Sequence, residues 1–241
     1  MEKRLDKKIQ IYGDSILRGV TWDQDAGRYM TLPENSVALF RKEFGGEIEN
    51  QSRFGCTVQR GSLLLERALE QGMDCDVVVL EYGGNDCNFN WKEISEAPAV
   101  SHDPVTSPSL FEQLWRKMIR ALKSQGIVPV IMSMTPLDSD RYLSWITRTG
   151  LSRAAILEWL GDTNRIYRFQ EMYAGILERI AWETATAYIN VRHAFLEERK
   201  FSELFCIDGI HPAKAGHALI KRCFGEFFRN YVPPVVRLKA I

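Results

Sequence analysis

The sequence predicts a doubly wound α/β fold, a parallel sheet between two layers of helices. Short apolar runs alternate with amphipathic helical patterns from the first residues of the chain to its last helix. Residues 76–82 (DVVVLEY) are the clearest strand, and their continuous β-branched run is typical of a strand buried on both faces in a parallel sheet. Right-handed crossovers between such strands then give three layers, with ligand-binding loops at the carboxyl ends of the strands.

The elements follow one another in a regular order. Strands are predicted at residues 8–12, 47–52, 76–82, 128–134 and 187–191. Helices are predicted at residues 36–44, 58–71, 109–125, 163–185 and 213–229, and glycines follow the first three as stop signals. Residues 83–107 are predicted to be a long loop, residues 141–160 two short helices broken at Gly150, and residues 232–241 an extended tail.

Length and composition indicate one globular domain. The 241 residues are expected to form a single domain, with an aromatic-rich insertion at 137–162. Lys plus Arg and Asp plus Glu both number 31, so nothing favours nucleic acid or an anionic membrane as a partner. No signal peptide or membrane span is recognisable, which predicts a cytoplasmic protein. The five cysteines are scattered without a CxxC pair, which argues against a disulfide framework or a structural zinc site. No metal or other cofactor is expected.

Three polar motifs lie where ligands bind in such a fold. Gly13-Asp14-Ser15 follows the first strand, residues 83–86 (GGND) follow the third, and residues 208–211 (DGIH) precede the last helix. A serine hydroxyl becomes nucleophilic only beside a base that a third group orients. His211 is the natural base, and Asp208 lies three residues before it, where it can accept the Nδ1–H bond. The pattern therefore predicts Ser15, His211 and Asp208 as a catalytic triad.

Acyl transfer also requires donors for the oxyanion of the tetrahedral intermediate. The backbone N–H of Ser15 is the first candidate, because the strand breaks there. The side-chain amide of Asn85 is the second, and the backbone N–H of Gly55, in the loop after the second strand, is the third. The Gly-x-Ser-x-Gly elbow of α/β-hydrolases is absent from the sequence.

These motifs together resemble the blocks of the GDSL, or SGNH, hydrolases. Gly13-Asp14-Ser15 resembles the first block, Gly55 lies where the second-block glycine is expected, and residues 83–86 and 208–211 match the third and fourth. Ile16 stands where the name motif has leucine. The resemblance spans residues 8 to about 217 and implies a flavodoxin-like five-stranded sheet. It also implies metal-free hydrolysis of esters or thioesters through an acyl-enzyme.

Several neighbouring residues are more simply explained by structure. Asp14 and Asp86 are typical turn formers that hold loops by bonds to the backbone. Three further histidines have no evident partners and are predicted to be bystanders: His102, His193 and His217. Three cysteines near the motifs are predicted to be small buried fillers rather than catalytic thiols: Cys56, Cys87 and Cys206.

An aromatic cluster follows the fourth strand, and it has two interpretations. Tyr142, Trp145, Trp159 and Tyr167 are either core residues or part of a wall or lid over the substrate. Phe89 and Trp91, just beyond Asn85, would then line the opposite side. The candidate substrate-binding residues are Asp14, Phe89, Trp91, Tyr142, Trp145 and Trp159.

The leading hypothesis is an esterase that removes a short acyl group, for example acetyl from a carbohydrate. The expected partner is a small-molecule or carbohydrate ester. A thioesterase or lysophospholipase acting on longer chains is the nearest alternative, and an acyltransferase with the same mechanism is another. A non-catalytic binding module on a flavodoxin-like sheet is the alternative of a different class, although no phosphate-binding glycine loop supports it.

Overall fold

A computed structural model describes residues 7–230 of the chain. Its centre is a five-stranded, all-parallel sheet in the order β4-β1-β5-β6-β7. These strands are β1 (Lys8–Gly13), β4 (Glu47–Asn50), β5 (Val77–Glu81), β6 (Val128–Met132) and β7 (Ala187–Ile189). A separate antiparallel hairpin consists of β2 (Val20–Asp23) and β3 (Arg28–Thr31).

Ten α-helices surround the sheet within the described part of the chain. They are α1 (Ser15–Arg18), α2 (Ser36–Phe44), α3 (Val58–Glu70), α4 (Trp91–Glu96), α5 (Pro108–Ser124), α6 (Ser139–Thr147), α7 (Arg153–Leu160), α8 (Asn164–Glu183), α9 (Val191–Glu197) and α10 (Lys214–Asn230). A 3₁₀ turn, Phe201–Leu204, precedes the last loop. The predicted three-layer α/β fold with a parallel flavodoxin-like sheet is confirmed.

The alternating side chains of the strands build two separate cores. Val77 and Val79 of β5 point to the face covered by α2, α9 and α10, whereas Val78 and Leu80 point to the face covered by α3, α5 and α8. Every residue of β5 is buried. Burial on both faces explains why this segment lacks the alternating polarity of a half-exposed strand.

A third apolar cluster lies outside the two sheet faces and joins α4, α6, α7 and the start of α8. Its buried members include Phe89, Trp91, Ile94, Tyr142 and Leu160. Helix α4 corrects the prediction of a continuous loop over residues 83–107. Its N-cap is Asn90, whose side chain accepts the N–H of Glu93, and Trp91 and Ile94 are buried. Six residues are too few for helical periodicity to be visible in the sequence.

The boundaries of the predicted strands and helices differ from expectation by a few residues at most. The two short helices expected at 141–160 are α6 and α7. The strands of the β2–β3 hairpin and the helices α1 and α9 were not anticipated, because each of these strands and helices is shorter than eight residues. The predicted tail at 232–241 lies outside the described residues. Among residues 7–230, no helix is both long enough and apolar enough to cross a membrane.

Close packing of α3 on the sheet can be tested at two glycines. A Cβ on Gly61 of α3 would lie 2.3 Å from Cζ of buried Tyr82, whereas a Cβ on exposed Gly175 of α8 would meet nothing within 4 Å. We expect Gly61→Ala to lower the free energy of unfolding by roughly 1–3 kcal/mol through overpacking. Gly175→Ala should raise it by about 0.5–1 kcal/mol through helix propensity. Urea denaturation of both variants measures this, and equal stabilities would contradict the packing.

Candidate active site

Ser15 lies at the carboxyl end of β1, between β4 and β5. The chain continues from β1 to β4 on one side and later to β5 on the other, so β1 is the point at which the order of strands reverses. Asp14 caps α1 by accepting the N–H of Ile16, and Ser15 is the first residue of that helix. This turn directs the Ser15 side chain toward the rim where the loops after β1, β4 and β5 meet.

The structure brings Ser15, His211 and Asp208 into one hydrogen-bonded chain. His211 Nε2 lies 2.9 Å from Ser15 Oγ, and His211 Nδ1 lies 2.6 Å from Asp208 Oδ2. Because the carboxylate only accepts, Nδ1 carries the hydrogen and Nε2 is free to accept the serine proton. All three side chains are buried. The arrangement can therefore activate the Ser15 hydroxyl.

The loop that carries Asp208 and His211 is held in shape by its own hydrogen bonds. Asp208 Oδ1 accepts the N–H groups of Ile210 and His211. Gly209 has φ +74°, and a Cβ there would lie 2.6 Å from the carbonyl oxygen of Asp138 at the start of α6. Burial by itself would raise the pKa of Asp208, but the bonds and charge of its neighbours, led by His211, hold that pKa below its ordinary value.

Tyr29 is a site residue that the sequence did not reveal. It projects from β3 of the hairpin, and its hydroxyl donates to Asp208 Oδ2 at 2.8 Å, the same oxygen that accepts from His211. Its ring centroid lies 4.8 Å from that of His211. Phe54 lies parallel to the His211 ring from another direction, at 6.0 Å. The only signal in the sequence was the short alternating segment of the hairpin.

The three predicted oxyanion donors lie near Ser15 but differ in their availability. The backbone N–H groups of Ser15 and Gly55 make no hydrogen bond within residues 7–230, and both residues line the cavity described below. Asn85 Nδ2 instead donates to Asp14 Oδ2 at 2.9 Å and to the Cys56 carbonyl at 3.2 Å. An oxyanion would thus have to share a hydrogen that Asn85 already donates.

A buried carboxyl pair lies behind the Ser15 turn. Asp14 and Glu81 are each 2% exposed, and the backbone N–H of Asp14 donates to Glu81 Oε2. Burial, followed by the negative charge of Asp14, raises the pKa of Glu81 well above its ordinary value. Glu81 is therefore the protonated partner and holds the Asp14 carboxylate, which in turn holds Asn85. The sequence feature that could have pointed to this pair is Glu81 itself, an acid at the end of the apolar run of β5.

A cavity of about 310 Å³ opens in front of Ser15. Among the candidate substrate-binding residues, five line it: Asp14, Phe89, Trp91, Tyr142 and Trp145. Trp159 does not, which corrects that expectation. Its ring packs instead against Phe89 and Phe169, so it supports the wall from behind. Within the suggested insertion at 137–162, α6 supplies wall residues whereas α7 supplies none.

Asn88 is the polar centre of the aromatic wall. Its Oδ1 accepts from Trp91 Nε1 at 2.8 Å and from the Tyr142 hydroxyl at 2.9 Å. Because the indole nitrogen can only donate, the orientation of the amide is determined and Nδ2 faces away from both rings. Within the described residues this Nδ2 has no acceptor, and Asn88 lines the cavity. It is therefore available as a donor to a ligand.

Residues interpreted as structural have structural contacts. Asp86 is fully buried and accepts from the Thr106 hydroxyl and the Val58 N–H, and its burial raises its pKa to about 7. His217 is buried in the core, and burial lowers its pKa to about 4. Cys56, Cys87 and Cys206 are buried. No group of three or more His, Cys, Asp or Glu within residues 7–230 is arranged to hold a metal ion.

The family model named GDSL-like Lipase/Acylhydrolase matches residues 11–219, which include the end of β1, the Ser15 turn and the loop of His211. This chain belongs to the GDSL-like lipase/acylhydrolase family. No curated protein sequence matches it significantly. The family assignment thus rests on the family model, which matches most of the chain.

Solved structures of GDSL-like proteins have the same fold at low sequence identity. A lipolytic protein of the G-D-S-L family from Veillonella parvula is 17% identical, with a TM-score of 0.65, over 93% of this chain and 99% of that one. Axe2, an acetylxylan esterase from Geobacillus stearothermophilus, is 19% identical, with a TM-score of 0.64, over 94% and 95%. TesA is 18% identical, with a TM-score of 0.59, over 92% and 98%.

Removal of the Tyr29 hydroxyl should change how the reactivity of Ser15 depends on pH. In Tyr29→Phe, Asp208 Oδ2 loses the hydroxyl and keeps only its bond from His211, so the carboxylate stabilises a neighbouring positive charge more strongly. We expect the acid limb of the fluorophosphonate labelling rate of Ser15 to move up by roughly 0.5–1 pH unit. Tyr12→Phe, which removes a hydroxyl bonded to Gln10, is the matched control. An unmoved limb in Tyr29→Phe would contradict the role of this hydrogen bond.

The carboxyl pair predicts a pH dependence of stability in this GDSL-like chain. Since the pKa of Glu81 is higher folded than unfolded, folding takes up a proton above about pH 4.5, and stability falls as pH rises from there. Glu81→Gln mimics the protonated acid, so its stability relative to wild type should grow with pH, by at most about 1.4 kcal/mol per unit. Exposed Glu158→Gln is the control. The measurement is the free energy of unfolding in urea at several pH values between 4 and 8. If this free energy depends on pH equally in Glu81→Gln and wild type, the pKa of Glu81 does not differ between the folded and unfolded states.

Proposed function

We propose that this protein is a serine ester hydrolase that works through an acyl-enzyme. The observation that carries the proposal is the continuous chain of hydrogen bonds from Asp208 through His211 to Ser15, at the edge of a cavity. Three buried polar side chains in this order do not stabilise the fold more than apolar residues would, but they can activate a hydroxyl. Membership of the GDSL-like family supports the same reaction class.

In the first half-reaction, Ser15 Oγ attacks the ester carbonyl while His211 Nε2 takes its proton. Asp208 stabilises the imidazolium that forms and holds the ring in place. The N–H groups of Ser15 and Gly55 receive the oxyanion, and Asn85 adds a third donor by sharing a hydrogen that it already donates to Asp14 or Cys56. When the intermediate collapses, the C–O bond breaks and His211 returns its proton to the leaving alcohol.

In the second half-reaction, water attacks the acyl group on Ser15. His211 accepts a proton from that water and then protonates Ser15 Oγ as the acid leaves. The leaving alcohol must lie on the His211 side of the cavity, because His211 protonates it. The acyl group accordingly lies on the opposite side, where the wall includes Asn88 and Phe169.

We infer that the substrate carries a short acyl group, such as the acetyl esters of carbohydrates. A long alkyl chain over Asn88 would bury its unbonded Nδ2, at a cost of about 1–3 kcal/mol. A sugar could instead accept this hydrogen bond and pack against the aromatic wall. The fold shared with an acetylxylan esterase from Geobacillus stearothermophilus is compatible with this substrate class.

Hydrolysis of longer acyl chains, as by a thioesterase or lysophospholipase, is the second candidate. The wall beyond Asn88 favours it, because Leu137, Ile166 and Phe169 are apolar and line the same cavity. Each methylene buried there would contribute about 0.8 kcal/mol. The two candidates predict opposite trends of activity with acyl length.

Replacement of the nucleophile tests the reaction itself. We expect Ser15→Ala to lower kcat for p-nitrophenyl acetate by about 10⁴-fold or more, because the acyl-enzyme can no longer form. Ser124→Ala, at the exposed end of α5, is the matched control and should retain full activity. Hydrolysis that persists in Ser15→Ala would contradict Ser15 as the nucleophile. Failure of wild-type Ser15 to react with a fluorophosphonate would favour a non-catalytic binding module.

A series of p-nitrophenyl esters distinguishes short from long acyl groups. We expect wild-type kcat/KM to be greatest for acetate or butyrate and to fall toward octanoate. Phe169→Ala opens the acyl side of the wall, so the ratio of hexanoate to acetate should rise about tenfold. Trp182→Ala changes a side chain that is 85% exposed and should leave the ratio unchanged. A wild-type optimum at octanoate would support the second candidate instead.

A further inference from the structure

Within residues 7–230, Arg148 is a cation without a counter-ion at the active-site cavity. It follows α6, lines the cavity and is exposed to solvent. It forms no ion pair with any residue of the described chain. Asp14, the acid among the lining residues, already has other partners. Its carboxylate accepts from Asn85 and from the backbone of Ile16, and its own N–H donates to Glu81. A ligand in the cavity therefore meets one uncompensated positive charge.

The guanidinium of Arg148 is held in one orientation. Its Cζ lies 3.4 Å from the centroid of the Trp145 ring, and Nη1 donates to the Trp145 carbonyl at 2.6 Å. Stacking on an indole leaves the N–H groups in the plane of the guanidinium free at its edge. Nε and Nη2 make no hydrogen bond within residues 7–230. A stacked guanidinium with free donors can bind a carboxylate or phosphate with little loss of side-chain entropy.

The position of Arg148 assigns it to the leaving-group side. Trp145 packs at 6.1 Å from Tyr29, whose ring in turn covers His211. Burial and the charge of Asp208 raise the pKa of Tyr29, whereas the positive charge of Arg148 lowers it. Arg148 is therefore close enough to Tyr29 for its charge to act on the His211 side of the cavity. The leaving alcohol lies there, since His211 must protonate it.

We propose that Arg148 is a specificity-determining residue that binds an anionic group, a carboxylate or a phosphate, on the alcohol part of the ester. The proposal rests on the proposed hydrolase function and narrows its substrate class. The zero net charge of the chain gave no reason to expect an anionic substrate, because a global sum does not describe a local field.

Paired substrates that differ in charge test this preference. The carboxylate arm compares the acetate ester of para-hydroxyphenylpropanoate with that of its amide, and the phosphate arm compares para-acetoxyphenyl phosphate with para-methoxyphenyl acetate. We expect wild-type kcat/KM to favour the anionic member about 3- to 10-fold at low salt, and less at high salt. The arm with the greater preference identifies the anion.

Variants connect the preference to Arg148. In Arg148→Gln the ratio of anionic to neutral kcat/KM should fall to about 1, and Arg148→Lys should give an intermediate ratio, since lysine keeps the charge but loses the planar fork. Arg153→Gln, on α7 outside the cavity, should keep the wild-type ratio. Equal ratios in wild type and Arg148→Gln in both arms would overturn the proposal.

A binding measurement separates this proposal from the hydrolase function. Ser15→Ala is titrated with para-hydroxyphenylpropanoate and with phenyl phosphate, with tryptophan fluorescence as the readout, and Ser15→Ala/Arg148→Gln is compared. Weaker binding of either anion to the double variant supports the proposal even if wild type proves inactive on every ester. Equal binding to both variants overturns it even if wild type is an active esterase.

Discussion

The position of β1 in the sheet is the constraint on which the site depends. Because β4 and β5 pair with opposite edges of β1, the loops after these three strands meet at one rim. Parallel pairing directs all their carboxyl ends the same way, and the last loop, before α10, reaches the same rim. Ser15 and His211, 196 residues apart in the chain, can then be joined by one hydrogen bond.

The rim contains more buried polar groups than the reaction uses directly. Glu81 holds Asp14, Asp14 holds Asn85, and Asp86 ties the loop after β5 to the start of α3. An unsatisfied polar group in such a place would be costly, so each is bonded to another. The resulting network makes the loops around Ser15 rigid, and preorganised donors are what stabilisation of an oxyanion requires.

Two additions to the sheet shape the cavity. Helices α4, α6 and α7 form their own apolar cluster beyond β5 and β6, and they hold the wall at Asn88 and Phe89. The β2–β3 hairpin brings Tyr29 to Asp208 and contacts the end of α6 at Trp145. The wall at Asn88 and Phe89 borders the proposed acyl group, whereas the hairpin and the end of α6 border the proposed alcohol. Substrate choice therefore depends on segments outside the sheet that carries the Ser15 motif.

The sequence by itself was sufficient to predict the five-stranded sheet, its longer helices and the meeting of Ser15, Asp208 and His211 at one rim. Strand and helix periodicities are local, and the motifs are short and lie at strand ends, so both are visible along the chain. Tertiary structure alone decided that Tyr29 reaches Asp208, that Glu81 faces Asp14, that Trp159 stands behind the wall and that Arg148 has no counter-ion in the part of the chain that the structure describes. Each is a contact between distant segments, or the absence of one, and it depends on packing angles that no local pattern encodes.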